Sequence, residues 1–178
     1  MIRLFAALAI PPAVAEALEP RQRGIEAARW RDAADLHVTL RFFGEVREDV
    51  ARDLDIELAQ IHGRPFEILL EGAGSFGEGR EINAVWAGVA DNPELSRLAA
   101  ACEGAARRAG LKPEGRRYRP HVTLAYLRRG DPDQVGRWVQ VNNLLKSPPI
   151  AIDRFVLFSS HQTKGGSHYR AEAEYLLE

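Results

Sequence analysis

Apolar residues along this chain follow two different periods. Short stretches rich in β-branched and aromatic residues read as strands at 2–9, 36–43, 66–71, 82–89, 118–127, 150–158 and about 169–177. Between them, apolar positions recur at helical spacing. Val50, Leu54, Leu58 and Ile61 share one face behind the acidic start Glu48-Asp49. Leu95, Leu98, Cys102 and Ala106 follow Asn92-Pro93, a capping residue with proline at the first helical position, and Gly110 marks the stop. Asp131-Pro132 repeats that start ahead of Val135, Trp138 and Val139. A fourth helix is expected near residues 12–28, although Pro20 and Gly24 fall inside it.

The order strand, helix, strand, helix, strand occurs twice, with one strand added at the end. The predicted fold class is therefore α+β, a duplicated unit with repeat halves of about 1–75 and 80–178 inside a single domain spanning 1–178. Two features could mislead. Arg3 followed by the apolar run 4–10 and Ala13-Val14-Ala15 imitates a signal peptide, but the run is short and Pro11-Pro12 interrupt it, so a buried first strand is expected. Gly72-Ala73-Gly74-Ser75-Phe76-Gly77 matches a dinucleotide-binding glycine pattern. That pattern requires a helix to follow, whereas here a strand does, so the glycines are expected to form a loop between strands.

Composition changes the picture little. A net charge of −1 and 46% hydrophobic residues describe an ordinary globular chain. The basic residues are concentrated, however: Arg107, Arg108, Lys112, Arg116, Arg117, Arg119, Arg128 and Arg129 face a single acid, Glu114, and such a block can neutralise phosphates. Cys102 is the one cysteine, which precludes an intrachain disulfide and fits a cytoplasmic setting.

The chemistry lies in an exact tetrapeptide repeat, His37-Val38-Thr39-Leu40 and His121-Val122-Thr123-Leu124, at matching places in the two halves. On a strand, His and Thr share one face while Val and Leu enter the core. If the halves pack about a two-fold axis, two imidazoles and two hydroxyls converge. That set suits in-line attack at phosphorus: one imidazole takes a proton from water, an imidazolium protonates the leaving oxygen, and the threonines donate to the non-bridging oxygens. The scheme needs no cofactor and no metal. His62, His161 and His168 lack such a partner pattern.

These motifs, with Arg3-Leu4-Phe5-Ala6-Ala7-Leu8, Arg41-Phe42-Phe43-Gly44, the 72–76 glycines before Val85-Trp86-Ala87-Gly88-Val89, and Arg119-Pro120, occur in an order that resembles the two-histidine phosphoesterases. The resemblance is specifically to the RNA 2′,3′-cyclic phosphodiesterases, also called 2′-5′ RNA ligases. It implies a bilobal fold of antiparallel sheets with outer helices and an active-site cleft between pseudo-symmetric lobes. It implies hydrolysis of a terminal 2′,3′-cyclic phosphate to a 2′-phosphate, with reversible 2′-5′ ligation as a further activity. It also implies His37 as proton donor, His121 as proton acceptor, and RNA ends, tRNA fragments among them, as partners, without a membrane or an obligate protein partner. Relatives carry arginine five residues after the second histidine, where this chain has Tyr126. Substrate contacts are therefore sought among Arg41, Arg119, Tyr126 and Arg128, with Arg41 favoured by its strand parity with His37. Two rival readings are a non-catalytic RNA sensor on the same fold and a metal hydrolase using Asp35 beside His37. Arg119 at the position matching Asp35 disfavours the metal reading.

Overall fold

The computed structural model describes all 178 residues. Ten strands are observed: β1 (Ile2–Ala9), β2 (Ala28–Trp30), β3 (His37–Val46), β4 (Phe66–Ile68), β5 (Leu70–Phe76), β6 (Ala84–Val89), β7 (His121–Leu127), β8 (Ile150–Ile152), β9 (Arg154–Thr163) and β10 (Gly166–Leu176). Four α-helices accompany them: α1 (Pro12–Leu18), α2 (Glu48–Ala59), α3 (Pro93–Arg108) and α4 (Pro132–Asn142). No helix is long and apolar enough to cross a membrane.

All strand pairs are antiparallel. The main sheet runs β10-β9-β1-β3-β7-β6-β5, with β2 added to β7, and β4 pairs with β8 separately. Between β3 and β7 there is a single register pair, Val38 with Val122, and this is where the two lobes join. The lobes are not the sequence halves. β9 and β10 return to β1, while β5 crosses to β6 and β2 crosses to β7. The interleaving ties the lobes into one continuous buried core. β1, expected as a buried strand, lies between β3 and β9 with Leu4 to Leu8 buried.

The predicted helix starts hold. Asn92 Oδ1 accepts from the Leu95 N–H at 3.0 Å, and Asp131 Oδ1 accepts from the Asp133 N–H at 2.9 Å. Leu95, Leu98, Cys102 and Ala106 are buried as the periodicity requires. The helices pack outside the sheet, with α3 against α2 and β3, α2 also against β10, and α4 against β5. The helix expected over 12–28 is a correction. α1 ends at Leu18 and a 3-10 turn at Glu19–Arg21 follows, because Pro20 cannot continue the helical hydrogen bonds; β2 then occupies part of that span.

The glycine-rich stretch is also corrected. Residues 72 and 74 lie inside β5 rather than in a loop. Gly74 is the register partner of Trp86 on β6, and a Cβ on Gly74 would sit 2.4 Å from the indole. The missing side chain is the space the Trp86 ring occupies across the strand.

Both motif strands contain a bulge at the same place. Ala7 pairs with Thr39 and Ala6 with Arg41, which leaves Leu40 as the extra residue. Trp86 pairs with Thr123 and Val85 with Ala125, which leaves Leu124 extra. A bulge inverts the strand parity beyond it. Arg41 therefore does not face the cleft with His37, as simple alternation predicted. Its side chain, 10% exposed, turns to form an ion pair with Glu103 on α3 and donates to the Lys112 carbonyl at 2.8 Å. Breaking this half-buried pair leaves one charge partly uncompensated, at a cost of about 1–3 kcal/mol. Glu103→Ala should therefore lower the unfolding free energy by roughly that amount in urea titration, while Arg41→Met combined with Glu103→Leu should recover much of it. A loss of only a few tenths of a kcal/mol for Glu103→Ala would show that the pair does not support the α3–β7 connection.

Candidate active site

The site is built around the Val38–Val122 pair. Opposed residues of an antiparallel ladder share a face. Both valines are fully buried, as are Leu40 and Leu124 within 4% exposure, so His37, Thr39, His121 and Thr123 all emerge on the opposite face. Continuing the antiparallel alternation outward from this one pair sets His37 opposite Thr123 and Thr39 opposite His121. The two histidines are thus a diagonal pair, a relation that ordinarily spans roughly 7–8 Å and leaves room for a phosphate between them. Burying four such aliphatic side chains contributes about 6–12 kcal/mol at roughly 1.5–3 kcal/mol each, comparable with the net stability of a whole domain. A one-residue slip of either strand is therefore strongly disfavoured.

Each imidazole is held in the same way. Nδ1 of His37 donates to the Asp35 carbonyl at 2.8 Å, and Nδ1 of His121 donates to the Arg119 carbonyl at 2.7 Å. A carbonyl oxygen only accepts, so the proton of each neutral ring sits on Nδ1 and Nε2 is left for a ligand. Neighbouring rings fix the planes. His37 lies 4.9 Å from Phe5 and meets Tyr169 edge-on at 5.2 Å. His121 meets Phe76 edge-on at 4.7 Å and lies 6.1 Å from Trp86, the indole accommodated by Gly74. The Tyr118 hydroxyl donates to the Thr39 carbonyl at 2.9 Å and pins the motif strand from the loop before β7.

Burial lowers both imidazole pKa values. His37 is pushed down to about 4, chiefly by desolvation and also by the positive charge of Arg31 and by His121, against the opposing effect of the Asp35 hydrogen bond. His121 is lowered too, again by desolvation and against its bond to Arg119. Phe5, Tyr169 and Phe158 crowd His37 and account for its lost hydration.

A cleft of about 390 Å³ opens beside His37 and Thr39. Tyr126, named from sequence, lines it; the bulge at Leu124 turns this ring outward, as the bulge at Leu40 does for Phe42. Arg41 does not line it. Arg119 contributes its backbone carbonyl while its side chain is exposed, and Arg128 lies exposed in the turn after β7, away from this cleft. Within the basic block, Arg108 pairs with Glu57 and Arg116 with Glu114. Asp35 turns its carboxylate towards Arg31 at 3.5 Å.

The residues that sequence reasoning missed are Arg3, Arg29 and Arg31, all of which line the cleft. Arg29 and Arg31 come with β2, whose three residues give no strand signal and which forms by pairing Arg29 with Tyr126 and Trp30 with Ala125. Arg31 is wedged between the rings of Tyr126 at 5.7 Å and Tyr169 at 5.2 Å, and it donates to the Ser167 carbonyl at 3.2 Å.

Known proteins share this architecture. The structure superposes on Escherichia coli LigT complexed with 3′-AMP with a TM-score of 0.80 and 27% identity, over 99% of this chain and 98% of that one. A Thermus thermophilus structure gives 0.81 at 22% identity, over 99% of this chain and 98% of that one, and supports the fold alone. In sequence, the RNA 2′,3′-cyclic phosphodiesterase of Escherichia coli K12 is 28% identical over 177 residues, covering 94% of this chain and 92% of that protein. The Archaeoglobus fulgidus protein of the same name is 28% identical over 135 residues, 74% of this chain and 76% of its own length. Residues 10–164 match the family model of the 2′-5′ RNA ligase superfamily, and the chain belongs to that superfamily.

Proposed function

We propose that this protein is an RNA 2′,3′-cyclic phosphodiesterase that opens a terminal cyclic phosphate to a 2′-phosphate by acid–base catalysis at His37 and His121. The observation that carries the reading is the matched pair of imidazoles, each with Nδ1–H tied to a backbone carbonyl and Nε2 free on one shared face. The similarity to relatives bearing that name supports it.

In this mechanism, neutral His121 removes a proton from water through Nε2 as the water attacks phosphorus. The P–O3′ bond breaks on the opposite side, and His37 imidazolium delivers its Nε2 proton to the departing 3′ oxygen. Thr39 and Thr123 donate to the non-bridging oxygens, where charge accumulates. Arg31 is already ordered by Asp35, Ser167 and two tyrosine rings, and adds fixed positive charge beside His37. 2′-5′ joining is the same displacement with an RNA 5′-hydroxyl in place of water: His121 takes the hydroxyl proton, the P–O3′ bond breaks, and His37 protonates the departing 3′ oxygen, while return to the cyclic phosphate runs with the roles exchanged. RNA fragments with cyclic ends, including those of tRNA, are the substrates this chemistry fits.

Turnover of an oligoribonucleotide with a 2′,3′-cyclic end, with the product phosphate located, tests the assignment; binding without turnover would establish a sensor instead. Turnover should persist in excess chelator, since imidazoles, hydroxyls and Arg31 supply every proton transfer and charge contact above. Abolition by chelator with restoration by a divalent ion would reject this mechanism.

His37→Ala and His121→Ala should each reduce kcat by about 10²–10⁴-fold while leaving the fold in place. The double variant should lose less than the product of the single losses, because the pair works as a unit. A substrate with a better 3′ leaving group should rescue His37→Ala far more than His121→Ala. Equal rescue would overturn the roles.

The pH profile follows from the direction of the shifts. An acid must be protonated, so the rate falls as pH rises through its pKa; a base must be unprotonated, so the rate falls as pH drops through its own. Both histidines lie below the ordinary imidazole value, so kcat/KM, which reports the free enzyme, should be bell-shaped with its maximum on the acid side of neutrality. A bound phosphate anion stabilises imidazolium, so the kcat maximum should lie at higher pH. Each single variant should lose one limb. A kcat/KM maximum well above neutrality would contradict the depressed pKa of His37.

A further inference from the structure

The site is symmetric only at its centre. Matched His and Thr pairs flank Val38 and Val122, but the open cleft of about 390 Å³ lies on the His37 side, and neither His121 nor Thr123 lines it. Three arginines line that cleft and no carboxylate does. Arg31 is already engaged by Asp35 and Ser167. Arg3 and Arg29 form no salt bridge at all.

Their positions are set by the fold. A ladder of rings leads away from His37: Phe5 at 4.9 Å, Phe42 a further 6.4 Å on, and the Arg3 guanidinium 5.2 Å over the Phe42 ring. Phe5 is buried, whereas Phe42, brought outward by the bulge at Leu40, is 39% exposed. Arg29 projects from β2 at the register position of Tyr126 and lies against Gly166 at the start of β10, where a Cβ would stand 2.8 Å from its Nη2. Unneutralised guanidiniums in one cleft raise its potential and attract an anion. An arginine fork matches phosphate oxygens, and an exposed ring or guanidinium plane accepts a nucleobase without regard to its identity.

In-line displacement adds a direction. Water enters on one side of phosphorus and the ribose oxygen leaves on the other, and the ribose carries the rest of the RNA through its 5′ side. A cleft beside one histidine only can take that chain on one side only. Resting on the function proposed above, we propose that Arg3, Arg29 and Phe42 form a subsite for the nucleotide immediately 5′ of the cyclic end. The arginines hold the phosphodiester joining it to the terminal ribose, and Phe42 with its stacked Arg3 receives the base. The ribose then lies towards His37, which places the leaving 3′ oxygen at the acid, and water enters from the His121 side. Part of the salt sensitivity of recognition then belongs to this subsite.

The test compares two substrates, adenosine 2′,3′-cyclic phosphate and the dinucleotide ApA ending in a 2′,3′-cyclic phosphate. The wild-type protein should favour the dinucleotide by tenfold or more in kcat/KM. Arg3→Ala combined with Arg29→Ala should remove most of that preference, acting on the dinucleotide while changing mononucleotide opening less than twofold, which also reports an intact fold. The slope of log kcat/KM against log salt for the dinucleotide should become shallower by about 0.7 for the one phosphate contact removed. Phe42→Ala should reduce the preference in the same substrate-selective way. Proportional losses on both substrates, or no loss on either, would overturn the subsite while leaving the proposed reaction standing. Wild-type failure to open either substrate would overturn the proposed function itself, and the subsite with it.

Discussion

One contact organises the molecule, the antiparallel pair of Val38 with Val122. It is the only ladder position between the two motif strands, and both side chains are fully buried. Because opposed residues in such a pair share a face, burying the valines determines where their neighbours point, and the histidines and threonines follow. The core thus positions the chemistry without any dedicated polar scaffold. Strand interleaving reinforces the junction, since β9 and β10 close onto β1 and β5 onto β6. Neither lobe is built from one continuous stretch of chain.

Orientation within the site comes from the backbone. Each histidine bonds the carbonyl two residues before it, Asp35 or Arg119. This local bond selects the tautomer without a carboxylate partner. Residues as unlike as Asp35 and Arg119 can therefore occupy equivalent places, because only their main chain takes part. Aromatic walls complete the constraint, Phe5 and Tyr169 on one side, Phe76 and Trp86 on the other. Gly74 belongs to this set because its missing Cβ admits the indole.

Features governed by local periodicity are legible in the sequence. The capped helices after Asn92 and Asp131, the buried first strand and the shared face of His37 with Thr39 all follow from spacing and cap chemistry. What is not legible depends on register. Extrapolating alternation from His37 to Arg41 fails because Leu40 is an extra residue in the ladder, and no local signal distinguishes a bulged leucine from a paired one. The same effect at Leu124 brings Tyr126 to the cleft wall. β2 leaves no trace in the pattern because three residues form a strand only when β7 supplies the partner, and Arg29 and Arg31 are hidden with it. The glycine pattern is separable from a dinucleotide-binding helix by the strand that follows, but its actual reason, room for Trp86, lies on another strand.

The mechanism proposed for His37 asks an imidazole depressed to about 4 to act as an acid at neutral pH, where roughly one molecule in a thousand would carry the proton. The difficulty dissolves once substrate is present. The depression arises mainly from lost hydration and is deepened by the positive charge of Arg31. A cyclic phosphodiester brings one negative charge to that spot, and an opposite charge within a few ångströms favours the protonated ring. Proton uptake by His37 is thereby coupled to substrate binding. The same desolvation makes the imidazolium, once formed, a stronger donor towards the departing oxygen, since the ring regains a favourable neutral state by releasing its proton. His121 is also held below the ordinary imidazole value, and burial favours its neutral form, the form the proposed base role requires. Two identical tetrapeptides thus sit in unequal surroundings, His37 beside Arg31, Phe5 and Tyr169, and His121 beside Phe76 and Trp86. The asymmetry that separates them, the arginine-lined cleft beside His37 alone, is also what gives the substrate a single direction of approach.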